Sequence, residues 1–238
     1  MSKNKTFFNE HIAELDGVRG MACIMVISLH YFIGIVQLDQ QSWLSHLRSA
    51  IQPFLIGGVD LFFVLSGVLI SGILMDHKES DSYFKTFWSR RIARIFPVYF
   101  LLLLTYILLL EFRSNHEASF LDIWLFKNPL PIWSYATFTQ SIPMAELGDG
   151  GARWIGVTWS LAVEEQFYWF LPPLVYWLSR KNVVLMAIVA IFISPFIRTL
   201  AWTQLNWFAS YCLLPCRMDT LMWGVLVACA IRNTQYQH

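Results

Sequence analysis

A histidine and an arginine near the start of the chain have a spacing that suits chemistry at a membrane. Arg19 and His30 are eleven residues apart in an apolar stretch, and eleven helical steps end only about 20° past three full turns. The side chains therefore share one helix face, about 16 Å apart along the axis. Imidazole can act as a general base near neutral pH, and a guanidinium binds anions. The alternative is that Arg19 extends to water and His30 is a hydrogen-bonded core residue.

Three arginines occupy one helical turn in the sequence SRRIARIFPVY, residues 89–99. Arg91 and Arg94 are three residues apart and Arg90 and Arg94 are four apart, so their side chains are neighbours. The guanidiniums repel each other unless an anion lies between them, and a phosphate accepts bidentate hydrogen bonds from such a group. The alternative is that this turn only anchors the chain to anionic lipid.

Two adjacent carboxylates lie within the apolar sequence WSLAVEEQFY, residues 159–168. Ionisable groups inside a membrane helix are costly, which makes Glu164 and Glu165 candidates for a functional site. They point about 100° apart and need different partners. We expect one to face a polar cavity and the other to pair with an arginine, and the alternative is a structural ion pair.

Three further charged residues lie in apolar segments. Asp60, in the sequence GGVDLFFVLSG of residues 57–67, has two interpretations: it orients the imidazole of His30, or it caps a helix or pairs with an arginine. Arg217 and Asp219 are two residues apart and point to different faces of a helix. Each is therefore expected to bond to another span.

The composition excludes an ordinary soluble domain. Of 238 residues, 56% are hydrophobic and 14% charged, against about 45–50% and about 25% in soluble chains. Such a chain would expose too much apolar surface in water, and it is too hydrophobic for a disordered protein. The net charge of +1 gives no general electrostatic basis for binding nucleic acid, so we expect no nucleic-acid partner.

Apolar runs predict an all-α bundle of about six or seven membrane spans, because a spanning helix needs about 20 apolar residues. The candidate spans are 18–38, 54–75, 95–111, 159–178, 183–198 and 211–231. Pro195 is expected to end or kink the short span 183–198. The bilayer is expected to be the inner or plasma membrane, crossed several times, with a cytoplasmic N-terminus.

The aromatic segment 119–141 is interrupted by Lys127, Asn128, Pro129 and Pro131. If this segment does not cross and the N-terminus is cytoplasmic, most of the 17 Lys and Arg residues fall on the cytoplasmic side. We therefore expect the segment to be interfacial or re-entrant.

The four cysteines lie in apolar stretches, at positions 23, 212, 216 and 229. Cys212 and Cys216 share a helix face, but no histidine or second cysteine pair completes a zinc pattern. We expect four buried thiols and no metal site.

Four motifs in this order resemble the membrane-bound acyltransferase 3 family: ELDGVRG with a histidine eleven residues after its arginine, GVDLFFVLSGVLI, SRRIARIFPVY and WSLAVEEQFY. The segment RMDTLMWG resembles a later family segment more weakly. The resemblance implies that residues 1–238 form a single transmembrane acyltransferase domain. Family members usually continue through several more spans, so this chain is expected to be a shortened form that lacks C-terminal spans.

The resemblance also implies an activity, in which an acyl group, expected to be acetyl, passes from acyl-CoA to a hydroxyl of a surface glycan or glycolipid such as polysaccharide or lipopolysaccharide. Acyl-CoA would be a co-substrate, with no bound cofactor. Arg19 and His30 are essential in the family, and its acyl-CoA motif falls on Arg91 and Arg94.

The resemblance leaves open the exact role of His30 and the roles of the remaining candidate residues. His30 acts as a general base or carries the acyl group itself. The remaining catalytic candidates are Asp60, Glu164 and Glu165, and the candidates for substrate or structural support are Trp159, Ser160, Tyr168, Arg217 and Asp219. The alternative functions are a transporter of a polar or anionic solute, with proton relay through intramembrane His, Asp and Glu, and a non-catalytic remnant of the acyltransferase.

Overall fold

A computed structural model describes residues 13–33, 42–111 and 125–235, and these residues form helices and turns without a strand. The predicted all-α class is therefore confirmed. The α-helices in chain order are α1 (Ala13–Ser28), α2 (Trp43–Asp76), α3 (Tyr83–Glu111), α4 (Ile132–Ala136), α5 (Ser141–Leu147), α6 (Arg153–Gly156), α7 (Trp159–Trp177), α8 (Arg180–Gln204), α9 (Trp207–Cys212) and α10 (Met218–Gln235). A π-helix, Leu29–Ile33, continues α1, and a 3-10 helix, Leu214–Cys216, lies between α9 and α10.

Among the described residues, three helices have the length and composition of membrane spans. They are α2, α3 and α8, with 34, 29 and 25 residues. At about 1.5 Å per residue, each is longer than the roughly 30 Å of hydrocarbon in a bilayer. The predicted spans 54–75, 95–111 and 183–198 lie inside these helices. The protein is therefore of the helical membrane type, and the total number of spans stays a prediction.

Two of the predicted spans differ from the observed helices. The prediction of one helix over 211–231 is wrong, because Pro215 lies in the 3-10 turn that separates α9 from α10. Pro195 does not end α8, which continues to Gln204, as a proline can within an apolar helix whose neighbours satisfy the freed carbonyl. The end of the predicted span 18–38, from residue 34 onward, lies outside the described residues.

The chain divides into two compact units, and the first contains residues up to 73 and from 220 onward. In this unit α1 approaches α2 at Gly58, where an added Cβ would lie 2.8 Å from a side-chain carbon of α1. Gly67 of α2 faces Gly224 of α10, and a Cβ on Gly67 would overlap a backbone carbonyl oxygen of α10. Small residues thus allow close packing of the three helices, as in other membrane bundles.

The second unit contains residues 74–219 and is built around α3 and α7. A buried apolar cluster contains Tyr99 of α3, Ala162 of α7 and Phe138, which lies between α4 and α5. The hydroxyl of Tyr99 also donates a 2.8 Å hydrogen bond to the carbonyl of Tyr135, which fixes α4 against α3. The short helices α4 and α6 pack against α3, whereas α5 packs against α9 and α7.

The predicted interfacial segment 119–141 is described from residue 125 onward. This part contains the short helix α4 and no long helix. Its position relative to a membrane stays a prediction. Lys127 is fixed by a 2.7 Å ion pair with Asp149, which follows α5.

Candidate functional site

The first group of predicted site residues lies in the first unit, on α1 and its π-helical continuation. The π-helix begins at Leu29, so the α-helical register that places Arg19 and His30 on one face changes just before the histidine. Arg19 donates a 2.6 Å hydrogen bond to Asp16, and His30 is exposed in the described structure. The described residues thus leave the imidazole uncovered.

The imidazole of His30 has a defined orientation. Its Nδ1 lies 2.8 Å from the backbone carbonyl oxygen of Val26. Because a carbonyl oxygen only accepts hydrogen bonds, Nδ1 is the donor in this contact, and in the neutral imidazole Nε2 then has the lone pair. Asp60 is half-buried in α2 of the same unit, and its role in orienting His30 stays a prediction. A neutral imidazole held by one nitrogen can accept a proton at the other.

The second group of predicted site residues lies in the second unit, where α3 and α7 run in opposite directions. Contacts pair the start of α3 with the end of α7, and later residues of α3 with earlier residues of α7. The successive pairs are Tyr83 with Pro172, Trp88 with Trp169, and Arg91 with Tyr168 and Glu165. The predicted arginine turn and the predicted carboxylate motif are therefore brought together.

Arg91 and Glu165 form the charged centre of this helix pair. Nη1 of Arg91 lies 4.0 Å from Oε1 of Glu165, and the two side chains are only 17% and 4% exposed. The guanidinium lies 3.4 Å from the centre of the Tyr168 ring, a cation–π contact. The hydroxyl of Tyr168 donates a 2.8 Å hydrogen bond to Glu164. The two glutamates thus have different partners, one of them an arginine, as expected. That one of them faces a polar cavity stays a prediction.

A third group surrounds the start of α7 and the turn before α10. Trp159 packs on Tyr211 with a ring separation of 4.8 Å. The guanidinium of Arg217 lies 4.3 Å from the centre of the Tyr211 ring, and its Nε donates to the Tyr211 carbonyl at 2.8 Å. Ser160, beside Trp159, donates a hydrogen bond to the carbonyl of Val157. Trp159 and Arg217 are therefore held by Tyr211 of α9, and Ser160 is held by the turn before α7.

Asp219 bonds to another long helix, as predicted. Arg198 of α8 donates from Nη2 to both carboxylate oxygens of Asp219, at 2.7 and 2.6 Å, and also to the carbonyl of Cys216. Sequence reasoning did not select Arg198. The available signal was an arginine within a long apolar helix, which is costly without a partner.

Sequence reasoning also missed a buried amide network. Gln140 is fully buried, and its Nε2 donates to the Tyr99 hydroxyl at 3.2 Å and to the Thr158 carbonyl at 3.1 Å. Gln166, inside the carboxylate motif, donates to the Phe138 carbonyl at 2.8 Å. An amide directly after two glutamates was the one available signal for Gln166. The network fixes the loop before α5 against α7.

The prediction of four buried thiols is wrong for one cysteine. Cys23 is exposed, whereas Cys212, Cys216 and Cys229 are buried. The exposed face of α1 accounts for the difference, because an apolar sequence does not distinguish a face toward lipid from one toward protein. Within the described ranges, no cluster of three or more His, Cys, Asp or Glu side chains is placed to hold a metal ion.

Comparisons with known proteins give a consistent result. The model of a family described as an acyltransferase domain matches residues 12–233. Peptidoglycan O-acetyltransferase OatA of Listeria monocytogenes serovar 1/2a (strain ATCC BAA-679 / EGD-e) is 28% identical over 210 residues, which is 80% of this chain and 29% of OatA. YrhL of Bacillus subtilis (strain 168), provisionally named a peptidoglycan O-acetyltransferase, is 29% identical over 71% of this chain and 24% of its own length.

A Staphylococcus aureus (strain COL) protein, provisionally named an O-acetyltransferase, is 32% identical over 72% of this chain and 26% of its own length. The chain thus spans less than a third of the length of these three relatives. No solved structure matches it.

Proposed function

We propose an activity for this chain on the basis of its family. The chain belongs to the acyltransferase domain family, whose model matches residues 12–233. The proposed activity is O-acylation, in which an acetyl group passes from acetyl-CoA to a hydroxyl of a cell-surface glycan or glycolipid. The relatives support the acetyl group and a glycan acceptor, since two are named for peptidoglycan O-acetylation. The proposed location is the inner or plasma membrane, with the N-terminus in the cytoplasm.

The state of His30 carries the mechanistic part of the proposal. Its Nδ1 is occupied by the Val26 carbonyl, so Nε2 is the basic nitrogen. In direct transfer, Nε2 takes the proton of the acceptor hydroxyl, the oxygen attacks the thioester carbonyl, and the CoA thiolate leaves and takes up the proton. In covalent relay, Nε2 attacks the thioester carbonyl and CoA leaves as the thiolate; the acceptor hydroxyl then attacks the acyl-imidazole, which frees Nε2, and the hydroxyl proton passes to the thiolate. Asp60 would stabilise the charged imidazole in either route.

The other predicted residues take supporting roles in this proposal. Arg19 and the arginine turn with Arg91 and Arg94 would bind the phosphates of CoA, because guanidinium and phosphate form strong charge-assisted hydrogen bonds. Glu164 and Glu165 would act as further acid or base groups. The group of Trp159, Ser160, Tyr168, Arg217 and Asp219 would shape the acceptor side or support the fold.

A histidine substitution tests the proposal. His30→Gln in the full-length membrane protein should reduce acetyl transfer at least a hundredfold, as loss of a general base or nucleophile does. The readout is the mass increment of one acetyl group on surface glycan. His46→Gln is the matched control, since His46 is an exposed histidine of α2 outside the proposed machinery. Equal acetylation by the His30→Gln protein and its parent would reject the proposal.

A further inference from the structure

The three arginines of the turn 90–94 have different surroundings. Arg91 is directed toward α7, whereas Arg90 and Arg94 are exposed. We infer that Arg90 and Arg94 together bind the phosphate groups of the acyl donor and that Arg91 is a positioning residue for Glu165. This inference rests on the proposed function and changes its assignment of the phosphate contacts.

Arg91 is already engaged by side chains of its own protein. Its guanidinium lies between the Tyr168 ring, at 3.4 Å, and the Phe87 ring, at 5.7 Å, with Glu165 at 4.0 Å. Its Nε is buried, so a phosphate outside the helix pair cannot reach that donor. Tyr168 is in turn held by Glu164. A ligand that used Arg91 would have to displace this aromatic and acidic surround.

The burial of Glu165 explains why the Arg91 side chain lies between α3 and α7. Its side chain is 4% exposed, and its Oε1 accepts no hydrogen bond from the described residues. Removal of the cation from a buried pair is strongly destabilising, because the carboxylate is then buried without a partner. Arg91 therefore fixes the position of Glu165 rather than meeting solvent.

Arg90 and Arg94 have the opposite character. They are four residues apart, which places them about 40° apart around α3 with their Cβ atoms about 5–6 Å from each other. Both are exposed, and no carboxylate of the described residues forms an ion pair with either. Two adjacent cations without an internal anion repel each other and attract an external one. Two guanidiniums at this separation suit a phosphate or diphosphate, which accepts bidentate bonds from each.

The phosphate could belong to the donor or to a lipid headgroup, and binding measurements separate the two. The full chain is reconstituted in phosphatidylcholine nanodiscs, and the Kd values for CoA and for pantetheine, which lacks phosphate, are measured. The double substitution Arg90→Gln with Arg94→Gln should raise the Kd for CoA at least tenfold and leave that for pantetheine unchanged. Lys85→Gln is the matched control, an exposed cation on the same helix, and should change neither value.

The role of Arg91 is tested by exchange of the pair. Arg91→Glu combined with Glu165→Arg should keep the Kd for CoA within about threefold of the parent, because the exchange preserves an internal pair. If this variant does not fold, Arg91→Lys is used instead. Arg91→Lys should leave the KM for the acyl donor unchanged and lower kcat, since it retains the charge but loses the planar contact with Tyr168.

The outcomes separate the inference from the proposed function. An unsubstituted protein that binds no CoA would reject the proposed function. A protein that binds CoA equally well with and without Arg90 and Arg94, but loses CoA through Arg91→Lys, would reject the inference alone. A double substitution that weakens binding only to phosphatidylglycerol vesicles would also reject it, because the pair would then bind lipid.

Discussion

A carboxylate that loses hydration in the folded protein needs partners that offset the loss. Glu165 and Asp149 have partners of different kinds. Glu165 is paired with a guanidinium inside a helix pair and accepts no hydrogen bond from the described residues at Oε1. Asp149 is partly exposed and is surrounded by donors. Lys127 lies 2.7 Å away, Asn128 donates at 3.1 Å, and the backbone N–H of Gly151 donates to the other oxygen at 3.1 Å. Only the second arrangement is open to direct titration from water.

The surroundings of Asp149 make stability depend on pH. Burial alone would raise the pKa of Asp149, but the Lys127 ammonium and the donors of Asn128 and Gly151 outweigh it and lower the pKa below its ordinary value. A lowered folded-state pKa contributes stability that is present above the ordinary pKa of about 3.9. That contribution is lost as the pH falls through the folded-state pKa.

Asp149→Asn should therefore make the stability of the protein depend less steeply on pH in acid. Between about pH 5 and about pH 3, the melting temperature of the variant in detergent should fall less steeply than that of the parent. The effect at neutral pH should be small, within about 1 kcal/mol, because the pair is partly exposed. Glu146→Gln, at an exposed acid of α5, should leave the slope unchanged. Parallel curves for Asp149→Asn and its parent would contradict the assigned role.

Helix pairs in the first unit depend on backbones that nearly touch. Gly67 of α2 and Gly224 of α10 face each other, and a Cβ on either one would overlap backbone atoms of the opposite helix. Backbone atoms cannot rotate away as a flexible side chain can, so the helices would have to separate. The apolar side chains on both sides would then lose packing contacts.

Gly67→Ala should lower the free energy of unfolding by about 1–3 kcal/mol, the usual cost of overpacking. The measurement is thermal or denaturant unfolding in micelles. Gly57→Ala is the matched control ten residues earlier on α2, where the new methyl would lie 3.9 Å from a side-chain carbon, an ordinary contact. Equal stability of the two variants would show that α2 and α10 are not in close contact at Gly67.

Sequence patterns located helices better than they located helix ends. The apolar run 54–75 predicts a span, but α2 begins at Trp43 because backbone hydrogen bonds continue through the more polar residues before the run. The run 211–231 is mostly apolar despite Arg217 and Asp219, and the backbone constraint of Pro215 divides it. Hydropathy reports the composition of a segment, whereas helix ends depend on local backbone geometry.

The same limit applies to the candidate site. The types of Arg91 and Glu165 and their cost in an apolar helix were readable from sequence. The sequence did not show which arginine of the turn is directed inward, because that depends on the face at which α3 meets α7. The aromatic contacts of Trp88 with Trp169 and of Tyr83 with Tyr176 fix that face. These contacts join positions more than eighty residues apart, beyond the reach of helical spacing.

The predicted orientation of the chain in the membrane rests on the distribution of charge over the whole molecule. Net charge is only +1, so orientation depends on where the cations lie rather than on their excess. The turn between α2 and α3 and the starts of α3 and α8 carry Lys78, Lys85, Arg90, Arg180 and Lys181. Clusters of Lys and Arg next to spans are retained on the cytoplasmic side of a membrane. The opposite end of α3 leads toward α4 to α6, which are therefore expected outside.

Thiol labelling in intact cells tests this orientation. In a Cys23→Ser background, Ser80→Cys in the turn between α2 and α3 should resist a membrane-impermeant maleimide until the membrane is opened. Glu146→Cys, an exposed position of α5, should react at once from outside. The buried Cys212, Cys216 and Cys229 should add little background. Labelling of Ser80→Cys in sealed cells together with protection of Glu146→Cys would reverse the orientation and place the arginine turn away from cytosolic acyl-CoA.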